Sequence, residues 1–224
     1  MRKIALSRSL IYFLEEIEYS EAGLSADPDA SSLAPAFQDA LMDWETLFKK
    51  ERLGRRNVVR AEALVAVRNE RIDATTVQFG ALARAAAPEL LDRCFNIAPG
   101  KFIRRNLRKQ CETTKTVIVP EIAKLAPEHP CKSFGGQLDA LADGAVTALD
   151  DRAKAMGNRH SSANDVLEWK EGVNALRTTT YAELLKIAVA KGLPKSWVES
   201  FFRQSDGDTE SDPDTESPPS TPNP

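Results

Sequence analysis

Apolar side chains recur at every seventh position between Phe37 and Ala86. The series runs through Phe37, Trp44, Glu51, Val58, Val65, Ile72, Phe79 and Ala86, and all of these except Glu51 are apolar. A seven-residue apolar period keeps one side of a helix against neighbouring helices along its whole length. The pattern therefore predicts an all-α fold built on a long bundle or coiled-coil helix.

A second stretch, residues 137–191, carries a similar but weaker period. Its series runs through Leu138, Ala145, Arg152, Arg159, Val166, Val173, Thr180 and Ile187. Two long helices of this kind pack most simply side by side. We therefore predict an elongated antiparallel helical bundle with long heptad-patterned helices.

Glycines mark the points where each long stretch could break. A hairpin at Gly54 would divide the first stretch into two helices, whereas the unchanged heptad register favours one continuous helix. In the second stretch, Gly157 lies in a polar middle, and Ser162 or Asn164 could cap a new helix. A break is therefore better supported at Gly157 than at Gly54, although a continuous helix stays an alternative in both stretches, and Gly192 is expected to end the second long stretch.

The segment between the long stretches is predicted to be a helix over residues 101–126. Pro120 must kink or divide this helix, because proline lacks a backbone N–H and its ring clashes with the preceding turn. A shorter helix, residues 89–95, is predicted to start after Pro88.

A weak internal repeat suggests two related helical halves, residues 33–99 and 133–203, joined by helix 101–126. The first set of matches pairs Asp39, Ala40, Leu41 and Asp43 with Asp139, Ala140, Leu141 and Asp143, in that order. The second set pairs Phe79, Leu82, Pro88, Leu91 and Phe95 with Tyr181, Leu184, Pro194, Trp197 and Phe201, in that order. Each half would be a long helix followed by a short helix whose aromatic end folds back. The alternative is chance similarity, since helical sequences align easily.

Three regions follow from these patterns. Residues 1–32 are predicted to be a docking segment, helix or strand, followed by a loop, and residues 33–204 are predicted to form the bundle domain. Residues 205–224 carry six acids, five prolines and no base. Such a segment buries too little apolar surface to order itself, so we expect a disordered tail that either aids solubility or recruits a partner.

Composition restricts the class of protein further. The chain has 42% hydrophobic and 28% charged residues, as soluble globular proteins do, and a net charge of -3. Its three cysteines are too few and too widely spaced for a disulfide framework, which predicts reduced thiols and a cytoplasmic location. No apolar run is long enough to span a membrane, so no membrane span is predicted.

Sequence motifs for reaction chemistry are absent. A di-iron centre in a bundle needs Glu-x-x-His, but Ala126 and Gly157 stand three residues before His129 and His160. His129 with Cys131 is a weak basis for a metal site. Neither a nucleophile motif nor a phosphate-binding loop occurs. We predict no catalytic, cofactor-binding or metal-binding residues, no cofactor and no enzymatic activity.

One basic cluster remains as a candidate contact surface for nucleic acid. It consists of Lys101, Arg104, Arg105, Arg108 and Lys109. Arg104 and Arg108 stand four residues apart, so in a helix they would share a face that could contact phosphates. The simpler interpretation is a solvated helix face.

Two functions follow from the sequence as hypotheses. The first is a non-enzymatic helical scaffold or protein–protein interaction protein that binds a protein partner or self-associates. The alternative is a nucleic-acid-associated protein that uses the basic cluster.

Overall fold

The computed structural model describes residues 2–203, and the predicted tail, residues 205–224, lies outside them. Every regular element in the described part of the chain is helical, which confirms the predicted all-α fold. The α-helices are α1 (Leu10–Ala26), α2 (Pro35–Ala86), α3 (Pro88–Cys94), α4 (Pro99–Phe102), α5 (Leu107–Thr113), α6 (Val119–Ala123), α7 (Phe134–Lys191) and α8 (Lys195–Glu199). A 3₁₀ turn, Ser31–Leu33, precedes α2, and a π-helical turn, Thr114–Ile118, precedes α6.

Helix α2 continues for 52 residues without a break at Gly54. The heptad row faces the interior along most of its length: Phe37, Val58, Ile72 and Phe79 are buried, while Trp44 and Val65 are half-buried. A Cβ atom at Gly54 would lie in ordinary contact with Arg159, 3.8 Å from its Cα. The continuous helix predicted from the unchanged register is therefore present.

Helix α7 continues for 58 residues through Gly157, so the break that the sequence supported better there than at Gly54 is absent. Glycine weakens a helix interior by only about 1 kcal/mol and ends a helix mainly where the backbone needs a positive φ. Among the described glycines only Gly192, with φ of 67°, has one. There the Leu193 N–H donates to the Ala188 carbonyl at 2.8 Å and closes the helix, as predicted.

The described chain divides into two compact units. Unit 1 consists of residues 2–52 and 160–203, and unit 2 is Leu53–Arg159. These boundaries differ from those of the proposed repeat halves, residues 33–99 and 133–203. The duplication itself stays a prediction.

In unit 2, α2 and α7 run antiparallel. Gly54 lies against Arg159, whereas Arg68, further along α2, lies against Gly144, which precedes Arg159 in α7. Short helices between α2 and α7 also pack against this core. Pro99 of α4 approaches so closely that a Cβ atom at Gly80 would lie 2.7 Å from its Cγ, so the contact requires glycine at this position.

Residues 101–126, predicted to be a helix kinked or divided at Pro120, form several short segments, and the chain already leaves the helix before Asn106. Asn106 caps α5 by accepting a hydrogen bond from the Arg108 N–H at 3.1 Å. Further along, the Val119 N–H donates to the Thr114 carbonyl, five residues back, in the π-helical turn just before Pro120. This local widening accommodates a proline that has no N–H to donate.

Unit 1 is organised around α1, which packs on the end of α7 and on the residues that follow α8. Phe13, Ile17 and Leu24 of α1 are fully buried in a core that also contains Val173 and Leu184. The N-terminal segment therefore docks as a helix, one of the two alternatives expected from the sequence.

Aromatic residues fold back onto the preceding long helix in both units. Phe95 lies 5.9 Å from Phe79 in unit 2, and Phe202 lies 5.7 Å from Tyr181 in unit 1, measured between ring centroids. This feature was predicted from the repeat.

Candidate interaction surface

In unit 2, α2 exposes a row of aliphatic side chains on the side opposite its buried heptad row. Val59 is 64% exposed and Val67 is 53% exposed, while Val58 and Ile72 on the other side are buried. Single exposed aliphatic residues are normal on protein surfaces, and a row of them on one side of a helix is a candidate contact surface.

The centre of this row is five exposed residues, which we call the α2 stripe. They are Arg56, Val59, Ala63, Val67 and Glu70. Successive spacings of three, four, four and three residues place all five on one side of the helix. The order of residue types is symmetric about Ala63: a valine lies four residues away on each side, with a charged residue beyond each valine. The two end charges have opposite sign.

The α2 stripe is not among the residues predicted from the sequence, because the buried row on the same helix is the stronger pattern. The signal was present in the four-residue spacing of Val59, Ala63 and Val67. The spacing identifies an exposed row only once the structure shows that these three residues lie at the surface.

The residues of the predicted basic cluster do not share one helix. Lys101 lies in α4, Arg104 and Arg105 lie in the turn before α5, and Arg108 and Lys109 lie in α5. The four-residue spacing therefore does not place Arg104 and Arg108 on one helical face, because the predicted helix 101–126 is broken between them.

Two members of this cluster are engaged within unit 2. Arg105 donates to the Asn96 Oδ1 at 3.1 Å, and its guanidinium lies 5.4 Å from the centroid of the Phe102 ring. Arg108 forms an ion pair with Asp150 at 2.5 Å. Contact between this cluster and nucleic acid stays a prediction.

His129 and Cys131 contact each other within the segment that precedes α7. His129 Nδ1 accepts a hydrogen bond from the Cys131 N–H at 3.1 Å. Among residues 2–203, no three His, Cys, Asp or Glu side chains are grouped so that they could hold a metal ion.

All three cysteines, Cys94, Cys111 and Cys131, are buried in unit 2. Burial raises the pKa of the Cys94 thiol to about 11, with a further contribution from the nearby Glu121 carboxylate. Burial also raises the pKa of the other two thiols. The reactive thiolate is therefore scarce near neutral pH.

We expect these thiols to react with dithiobis-nitrobenzoate near pH 8 at least about a hundredfold more slowly in the native protein than in guanidinium. Burial blocks the reagent, and a raised pKa lowers the thiolate fraction at any pH below it. Absorbance of the released thiolate measures the rate. A native thiol that reacts as fast as in the unfolded chain would contradict the burial of these three thiols.

No protein-family model matches the sequence, and searches of curated proteins and of solved structures found no significant match. Within residues 2–203, no helix has both the length and the apolar character that crossing a bilayer requires.

Proposed function

We propose that the protein is a non-enzymatic helical interaction protein that self-associates through the α2 stripe. The observation that supports this is the exposed row Arg56, Val59, Ala63, Val67 and Glu70, which is complementary to an antiparallel copy of itself. A reducing compartment such as the cytoplasm suits the three buried thiols of the proposed protein.

The proposed contact is a two-fold symmetric pair of α2 helices centred on Ala63. In this arrangement Val59 of one copy faces Val67 of the other, and Arg56 faces Glu70 at both ends. A two-fold contact uses the same surface on both copies, so every favourable pair occurs twice. The small side chain of Ala63 lets the two helices approach closely at the centre.

The energetics favour a modest and reversible association. Four valine side chains leave water in the dimer, each contributing at most about 1.5–3 kcal/mol if fully buried. Part of this gain offsets the loss of translational and rotational freedom. The two Arg–Glu pairs are exposed at the ends, so they contribute mainly to register and specificity.

Sedimentation equilibrium tests the apolar part of this contact. We expect Val59→Glu to raise the dimer dissociation constant at least about tenfold, because it places a carboxylate against Val67 of the second copy. The matched control is Val189→Glu in unit 1, the same substitution at a side chain that is 84% exposed and outside the stripe. The control variant should associate as the unmodified protein does.

Charge reversal tests the antiparallel register. Arg56→Glu and Glu70→Arg should each weaken the dimer, because each places like charges opposite one another. The variant carrying both substitutions should recover the dimer, since it restores two opposite-charge pairs. A monomeric unmodified protein at about 100 μM, or a double variant as weak as the single ones, would refute the proposal.

A further inference from the structure

Unit 1 contains a cavity of about 1010 Å³. Its walls come from four segments that are distant in sequence: residues 2–8, α1, α7, and the residues at the end of α8 and beyond. Small-molecule sites in proteins commonly have volumes of roughly 300–1,000 Å³. The cavity is therefore large enough for a small organic ligand.

The N-terminal wall is anchored to α7 by its backbone. The Ile4 N–H donates to the Asn174 Oδ1, and the Asn174 Nδ2 donates to the Ile4 carbonyl, both at 2.9 Å. Lys170 Nζ donates to the carbonyls of Leu6 and Arg8. These bonds hold an irregular segment in place, so this wall is ordered without secondary structure of its own.

Arg177 lies in the wall of this cavity and is only 2% exposed. Its Nη1 donates to the Glu16 Oε2 at 2.8 Å, while its Nε has no hydrogen-bond partner. Desolvation lowers the pKa of Arg177, although Glu16 partly offsets this effect. Glu16 balances the charge of this guanidinium but leaves its Nε–H without an acceptor, a cost that a further acceptor nearby would remove.

The cavity lining has a net positive charge, with five cationic and three acidic side chains. Some of these charges are already paired. Glu16 pairs with Arg177 inside the lining, Glu199 pairs with Lys195 at 3.0 Å, and Arg203 pairs with Glu15 at 2.7 Å. These pairs involve two lining charges of each sign, so the cationic excess is unchanged. The lining therefore attracts anions more than cations.

Aromatic surfaces lie beside the cationic groups. Tyr12, Tyr181 and Phe202 line the cavity, and the Arg177 guanidinium lies 5.3 Å from the centroid of the Phe202 ring. Such rings provide apolar contact area for the body of a ligand, while their polar neighbours orient its charged end.

We propose that the unit 1 cavity binds a small amphipathic organic anion, with its acidic head near Arg177 and its apolar body against Tyr12, Tyr181 and Phe202. The competing explanation is that Arg177 serves only to tie α1 to α7 through Glu16. The two explanations differ in whether removing the ion pair changes ligand binding when the fold is intact.

Fluorescence titration of the full chain distinguishes them with two probes. Anilinonaphthalene sulfonate carries an anionic head on an aromatic body, and N-phenyl-naphthylamine has the same body without the charge. We expect the sulfonate to bind at least about tenfold more tightly than the neutral probe. Glu16→Leu combined with Arg177→Met should abolish this preference while circular dichroism shows unchanged helix content.

Two further variants show whether a change in probe binding comes from a folding defect or from a second binding surface. Ala5→Trp places a bulky side chain at an exposed position in the cavity wall, so it should weaken both probes without changing the ion pair. Arg84→Met removes an exposed cation from α2 in unit 2 and should change neither probe.

Competition with the sulfonate probe shows whether a ligand needs both an anionic head and an apolar body. Octanoate should displace the sulfonate probe, whereas inorganic phosphate at the same concentration should not, because it lacks an apolar body. Equal affinity for the two probes, a preference that survives in the folded double variant, or displacement by phosphate but not octanoate would each overturn the proposal.

Discussion

Replacing Glu16 with leucine is expected to lower the free energy of unfolding of unit 1 by roughly 3–5 kcal/mol. Glu16 and Arg177 are each 2% exposed, so the substitution leaves a buried guanidinium without its carboxylate partner. Urea denaturation followed by tryptophan fluorescence measures this loss, because Trp44, Trp169 and Trp197 all lie in unit 1.

Two comparisons show whether burial causes this effect. Glu15, the neighbouring residue, pairs with Arg203 at the surface, where both side chains are half-exposed. Glu15→Leu should therefore cost less than about 1 kcal/mol. Glu16→Leu combined with Arg177→Met should also be milder than Glu16→Leu alone, because it leaves no buried charge unpaired. Equal losses at Glu15 and Glu16 would contradict the buried pair.

Replacing Phe79 with alanine is expected to lower the free energy of unfolding of unit 2 by roughly 3–5 kcal/mol. Phe79 is fully buried. Its ring centroid lies 5.9 Å from the ring centroid of Phe95 and 5.8 Å from that of Phe134. Its removal leaves a cavity where α2, α7 and the segment after α3 meet. Thiol labelling as a function of urea measures unit 2, because all three cysteines lie there.

The matched control for this variant lies two residues away on the same helix. Val77 is 44% exposed, so Val77→Ala should change the free energy of unfolding by no more than about 0.5 kcal/mol. If the two substitutions had similar effects, Phe79 would not be the centre of the unit 2 core.

The buried side of α2 was predictable because its cause is local. Val58, Ile72 and Phe79 stand seven or fourteen residues apart, and a helix brings such positions to one side whatever it packs against. The same reasoning identified the helix end at Gly192, where the needed backbone conformation favours glycine.

The positions of breaks between helices were harder to predict than the helices themselves. Gly157 carries a small energetic penalty that the rest of α7 outweighs, so a glycine in a polar stretch was poor support for a turn. Residues 101–126 had the apolar content of a helix, yet Asn106 begins a new helix there and Pro120 follows a π-helical turn. Local composition did not distinguish one helix from several short ones.

Ion pairs between residues that are distant in the chain could not have been predicted from the sequence. Glu16 and Arg177 are 161 residues apart, and nothing in the local pattern of either residue indicates the other. The sequence around Arg108 likewise does not indicate Asp150, with which it forms an ion pair.

Periodicity along the chain determined the all-α class, the two long helices and the buried side of α2, because the geometry of a helix relates only residues within a few turns of each other. Tertiary packing decided which distant charges meet, where a cavity is left and which valines stay in water. Those outcomes depend on contacts between segments far apart in the chain, and no local pattern encodes them.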